Sequence, residues 1–385
     1  MSDVDYQKYL KYKMKYLELK KLIGSGKDLF TIIKDKTLTS EQMCPKIQYY
    51  INTNENIPQD FKNEDEETPL MLAIEYKLPD EIIKLLITDN NKDFKNEYGQ
   101  TPLHLAILFN LSKEIIISLI TVNNKDYQDK HGETPLHNAL GMKLSKEIIE
   151  LLITEKNKNI KDQYGNTPLY HAIRYDLSKE IIELFITDNN KDYQCDDGET
   201  PLHRAIKRNF SKEIIELLIT DNNKDIKNEN DYTPLHLAIL FNLSKDIIKL
   251  LITDKNKDIQ TKSGHTPLHF AIGKFSDEII KLLITEKNKN IQTKNGDTHT
   301  PLHLAIEYKL SDEIIELLIT DNNKDIQDKN GMTPLHIAIK IKLSDEIIKL
   351  LITDKNKHVP DKNGMTPLHL AGYTNRPEEI IKLLK

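Results

Sequence analysis

Residues 328–359 read DKNGMTPLHIAIKIKLSDEIIKLLITDKNKHV. Thr333 is a good N-cap, and Pro334 suits the first helical position, where its missing N–H costs nothing. Leu335, Ala338, Ile339 and Leu343 then recur on one face of a short helix. Ser344 caps a second helix and places Asp345 and Glu346 at its positive end. Ile347, Ile348, Leu350, Leu351 and Ile352 make that helix apolar around most of its circumference, which predicts burial on more than one side. Beyond Thr353 the chain turns polar, and Asn363-Gly364 supplies the positive-φ positions of a tight reversal. The unit is turn, helix, turn, helix.

It recurs along the chain. Thr-Pro-Leu begins at residues 68, 101, 134, 167, 200, 233, 266, 300, 333 and 366, with eight spacings of 33 and one of 34. Ten of the 15 prolines, eight of the 13 histidines and eight of the 13 glycines lie in or just before this motif, so the special residues punctuate a repeat. Ala stands at the fifth position after every Thr, from Ala73 to Ala371, and its methyl lets helices approach closely. Helices shorter than about 12–15 residues are marginal in water, so each copy must bury its apolar face on the next. The expected fold is an all-α solenoid.

The period and the Thr-Pro-Leu-His-x-Ala signature resemble the ankyrin repeat, over residues 66–385. The resemblance implies ten stacked helix-turn-helix units over 67–385, joined by β-turn or hairpin tips. Three departures stand out. Ile or Leu (Ile74, Ile107, Leu140) replaces the family's second Ala. Leu-Ser, as in Leu111-Ser112, replaces the Gly between the helices and adds a residue. Asn-Asn-Lys-Asp or Lys-Asn-Lys-Asp replaces Gly-Ala-Asp after the second helix.

Residues 29–66 read as a degenerate capping repeat, with Ile47, Tyr49, Tyr50 and Ile51 in its second helix and Phe61 ahead of Thr68. Pro79 and Pro377 replace the Ser at the start of their second helices, and Asp231 replaces the turn Gly. The copy at Thr266 lacks a residue between its helices and gains two before Thr300, a surface insertion. Residues 1–28 differ: a basic Tyr/Lys-rich helix over 6–23, then a Gly-Ser linker. This segment is similar to leaders on proteins of large DNA viruses of protists, which would place the protein in a host cell's cytoplasm.

Chemistry is hard to find. Cys44 and Cys195 are too few for a disulfide framework, and a net charge of −6 with only four Arg argues against nucleic acid. No apolar run is long enough for a membrane span, and none has the placing of a signal peptide, so the protein reads as soluble and not secreted. Phosphate-binding glycine loops are absent. The His column is expected to bond its own Thr or a turn, because neighbouring copies about 8–10 Å apart cannot share a zinc ion. Cys195 is expected to be an exposed thiol, and His131, His265 and His299 to face solvent. No cofactor, metal or catalytic residue is expected.

Binding is expected where the repeat refuses to repeat. The residue before each Thr includes Tyr232, His265, His299 and Met332. The eighth after it includes Tyr76, Phe109, Met142, Tyr175, Arg208, Phe241, Tyr308 and Ile341. In the family these columns line a concave surface that grips other proteins, which implies a monomeric, non-enzymatic scaffold. Replacing Tyr175 and Tyr308 is expected to weaken a partner without altering melting. The alternative is a substrate-recruiting arm whose residues 1–66 dock a ubiquitin ligase.

Overall fold

The computed structural model describes residues 29–53, 62–294 and 298–385. The basic segment 1–28, Phe61 and the inserted residues 295–297 lie outside them. Every regular element among the described residues is helical, and the chain divides into two compact units, residues 1–185 and 186–385.

The repeat beginning at Thr233 shows how the sequence makes the unit. Thr233 has extended backbone (φ −88°, ψ 165°) and starts the helix Pro234–Leu240. Its hydroxyl accepts the His236 N–H, while Nδ1 of His236 accepts the Thr233 N–H at 3.2 Å. The helix ends on Asn242 at φ 57°, with Asn242 N–H on the Ile239 carbonyl and Leu243 N–H on the Ala238 carbonyl. That paired closure at a left-handed residue replaces a C-terminal glycine, and it explains the residue added before Ser. Lys or Asp holds the same conformation elsewhere, as at Lys309 and Asp176. Ser244 then caps the helix Lys245–Leu251, and Asp231 takes the turn's positive φ of 62° in place of Gly.

The segment after the second helix, which reads as a polar loop, is buried. Asn256 is fully enclosed. Its Oδ1 accepts the Thr253 N–H at 3.0 Å, and its Nδ2 donates to the Leu251 carbonyl at 2.8 Å and, in the preceding repeat, the Lys224 carbonyl at 3.2 Å. Thr253 Oγ1 accepts the Asn256 N–H and donates to Asp225 Oδ1 of the preceding repeat at 2.6 Å. The same bonds recur at Asn223, Asn323 and Asn356 in the second unit and at Asn124 and Asn157 in the first. Consecutive turns are also bonded, Lys130 N–H to the Tyr98 carbonyl at 2.9 Å and Lys362 N–H to the Asn330 carbonyl at 2.9 Å. Gly132 shows why these turns want glycine: a Cβ there would meet the Gln163 nitrogen of the next turn at 2.9 Å.

In the first unit, the helices Leu29–Lys34 and Ser40–Thr53 pack on those of the repeat at Thr68, burying Leu29, Phe30, Ile33 and Ile47. The second helices are buried on more than one side, as expected, but not all round. Ile347, Ile348 and Leu351 are enclosed, but Leu350 is 47% exposed, and Leu217, Leu250, Leu282, Leu317 and Leu383 are exposed beside it in the same column. Two buried faces suffice, and the leucine between them sits on the outer surface among ion pairs such as Lys281–Glu313.

Asn256→Ala leaves two enclosed carbonyls unanswered and should destabilise the protein by ~2–4 kcal/mol in urea unfolding. Lys255→Ala, one residue away on the surface, should change it by less than ~0.5 kcal/mol.

Candidate interaction surface

In the repeats at Thr68, Thr200 and Thr300, the residue before Thr and the seventh after it meet on the turn side. Glu199 is ion-paired with Lys207 and, at 3.2 Å, with Arg204. His299 approaches Glu307 at 3.8 Å. Glu67 and Glu75 share a hydrogen bond: burial, then the Glu67 charge, pushes Glu75 up to about 7.

Among the columns expected to bind, Tyr76, Met142, Arg208, Phe241 and Tyr308 are exposed, whereas Phe109, Tyr175, Tyr232, His265, His299, Met332 and Ile341 are half-buried. Two of the tyrosines lie on glycine. A Cβ on Gly141 would stand 3.7 Å from the Tyr175 ring, and one on Gly273 would stand 2.6 Å from the Tyr308 ring. Tyr175 also lies 5.5 Å from the His171 ring. These contacts overturn the expectation that both tyrosines are indifferent to folding. The short helix Pro267–Ala271, which follows from the lost residue, puts Gly273 at φ 80° beneath Tyr308.

Several contributors were missed in the sequence. Phe270 is stacked between Tyr232 and His265, at 6.0 and 5.0 Å. Tyr98 and Tyr164 stand exposed at turn tips. The swapped pair Tyr170-His171 puts Nε2 of His171 on Asp162 at 2.8 Å. Burial pushes the Asp162 carboxyl up, and bonds from His171 and Asn166 outweigh this, holding it below its ordinary range. A swapped His one place from its column was the available signal.

Two solvent expectations fail as well. His131 is exposed, but His265 and His299 are not, and Nε2 of His299 lies 3.6 Å from Asp328. Cys195 is buried, because it holds a turn-closing position that Asn96 and Asp129 hold elsewhere; its Sγ donates to Asp197 Oδ1 at 2.7 Å. No group of three metal-ligating side chains occurs among the described residues.

The repeated histidines are committed to structure. Nδ1 accepts from the Thr N–H, so the proton sits on Nε2, which in three repeats donates to the next turn's carbonyl: Glu133 from His104 at 3.3 Å, Tyr232 from His203 at 3.1 Å, Met365 from His336 at 3.2 Å. Burial pushes these imidazoles down, to about 4 at His104, His203 and His303 and about 3 at His137, His236 and His269.

A family model described as ankyrin repeats (3 copies) matches residues 39–126, 108–194, 175–263, 241–329 and 302–385. The chain belongs to the ankyrin-repeat family. Among solved structures, it is similar to the ankyrin repeat domain of Bcl-3, a member of the IkappaB protein family, at 22% identity and a TM-score of 0.43, covering 58% of this chain and 96% of that one. No curated protein matches. Ankyrin repeats are protein-interaction scaffolds. No helix among the described residues is long and apolar enough to cross a membrane.

Two outcomes follow for this ankyrin stack. The unfolded chain takes up its histidine protons near pH 6.5, while the folded chain resists until about pH 4 or 3. Stability is therefore full at pH 7 and falls as pH drops through that window, by about 2 kcal/mol per buried histidine at pH 5, read as a lowered thermal midpoint. Gly273→Ala should cost ~2 kcal/mol from the Tyr308 clash and the left-handed backbone; adding Tyr308→Ala should recover part of it in the same unfolding measurement.

Proposed function

We propose that this protein is a non-enzymatic scaffold that holds protein partners on the turn side of its repeats. The observation carrying the reading is that the eighth position after Thr is varied, and exposed at Tyr76, Met142, Arg208, Phe241 and Tyr308, whereas the Thr, His, Ala and Asn columns around it are closed by internal contacts. Aromatics, Met and Arg are the residues that interfaces enrich. The Tyr232–Phe270–His265 stack and the Tyr308 ring on Gly273 add rigid aromatic surface, which loses little freedom on binding. Partners from a host cell, and a viral source, rest on the likeness of residues 6–23 to viral leaders. A monomer in a reducing cytoplasm fits a chain with two cysteines, neither disulfide-bonded.

Affinity capture with mass spectrometry, comparing the parent with a Tyr76→Ala, Arg208→Ala, Phe241→Ala variant, tests this reading. The captured protein should fall at least about tenfold, the loss of 1.4 kcal/mol or more, while the melting curve stays near the parent's. Equal capture by the variant contradicts the turn-side assignment.

A further inference from the structure

The turn side of the first unit, residues 62–185, carries three half-buried carboxyl groups, Glu67, Glu75 and Glu133. Glu67 and Glu75 face each other and share a hydrogen bond, and Asn63 Nδ2, at 2.9 Å, also donates to Glu67. Burial likewise pushes Glu133 up, and its side chain takes one neutral donor, Asn138 Nδ2 at 2.7 Å. None of these three carboxylates has an ion pair with Lys or Arg among the described residues. Asn138 Oδ1 and His171 Nδ1, on side chains more than nine-tenths buried, have no partner, and the other ring nitrogen of His171 is committed to Asp162. Asn138 Oδ1 can only accept. An acid meant for structure alone looks different: Glu199, in the second unit, is enclosed by its own Arg204 and Lys207.

The rest of this face also suits cations. Tyr76, Tyr98 and Tyr164 are 44%, 54% and 57% exposed, and aromatic faces attract ammonium and guanidinium groups. The unit already uses that interaction internally, with Lys62, Lys77 and Lys95 over the rings of Phe94, Phe109 and Tyr127.

We propose that the turn side of residues 62–185, through Glu67, Glu75 and Glu133 and the rings of Tyr98 and Tyr164, binds an extended Lys/Arg-rich segment of a partner protein. This rests on the reading that the turn side is the binding face. Stacked helices lie about 8–10 Å apart and an extended chain advances about 3.3 Å per residue, so a basic residue at every third position meets one repeat after another. Each cation would neutralise a carboxylate that has no Lys or Arg ion pair among the described residues.

The test uses the full-length protein and a fluorescent peptide of about 12 residues with Arg at every third position and Ser-Gly between, an extended chain of about 40 Å. A matched peptide carries Glu for Arg. The Arg peptide should bind and the Glu peptide should not, and raising salt from about 50 to about 300 mM should weaken binding severalfold. Glu75→Gln with Glu133→Gln should weaken it at least about tenfold while leaving the thermal midpoint at pH 8 unchanged or higher, because two poorly solvated charges are gone. Glu147→Gln, on a second helix, should bind as the parent does. Equal affinity for both peptides, or undiminished binding by the double variant, overturns the proposal. If the Arg peptide fails while the Tyr76, Arg208 and Phe241 replacements still release a captured partner, the binding face stands and the basic segment falls. If Glu147→Gln abolishes binding and the double variant does not, the turn-side reading itself falls.

Discussion

A helix that ends inside a protein leaves its last carbonyls without partners, and here a buried asparagine answers them while reaching into the preceding repeat. Asn256 bonds Leu251 of its own helix and Lys224 of its neighbour, and Thr253 bonds Asp225. An enclosed amide with both ends committed tolerates no sliding, since any shift strands several polar groups at once. The histidines cap their own helix at the other end of the unit through Nδ1, and His104, His203 and His336 also hold the next turn through Nε2. Apolar burial supplies the attraction between copies, and these bonds fix the register.

That arrangement separates columns that must repeat from columns that are free. Thr, His, Ala and Asn are bound into neighbours, and their positions hardly vary. On the turn side the chain spends its freedom unevenly. Glu199 is matched internally by Arg204 and Lys207, whereas Glu75 and Glu133 are held in half-buried places that penalise their charge. Half-buried charges of this kind cost stability. The tyrosines on Gly141 and Gly273 show a different compromise, a ring braced by the neighbouring repeat with Tyr308 still 60% exposed.

Much of this was legible in the residues. The period, the Thr and Ser caps, the structural role of the His column and the left-handed turn at Asp231 all follow from local chemistry. What was hidden depends on the neighbour one repeat away. Thr-x-x-Asn looks like a solvated loop until a second copy encloses it. Leu350 looks buried because periodicity cannot rank faces on a helix that is apolar nearly all round. Cys195 looks like a loose thiol unless one notes that Asn or Asp closes the same turn elsewhere. Tyr308 looks free because the missing residue that slides Gly273 beneath it acts across a repeat boundary.

The central claim is that polar bonds between adjacent repeats, beyond apolar contact, couple each copy to the one before it. A double-mutant cycle on Asp225→Ala and Thr253→Ala measures one such bond directly, across residues that lie 28 positions apart and 2.6 Å apart between oxygens. The account predicts a coupling energy of ~1–2 kcal/mol in urea unfolding. Costs that simply add, with coupling below ~0.3 kcal/mol, would contradict it.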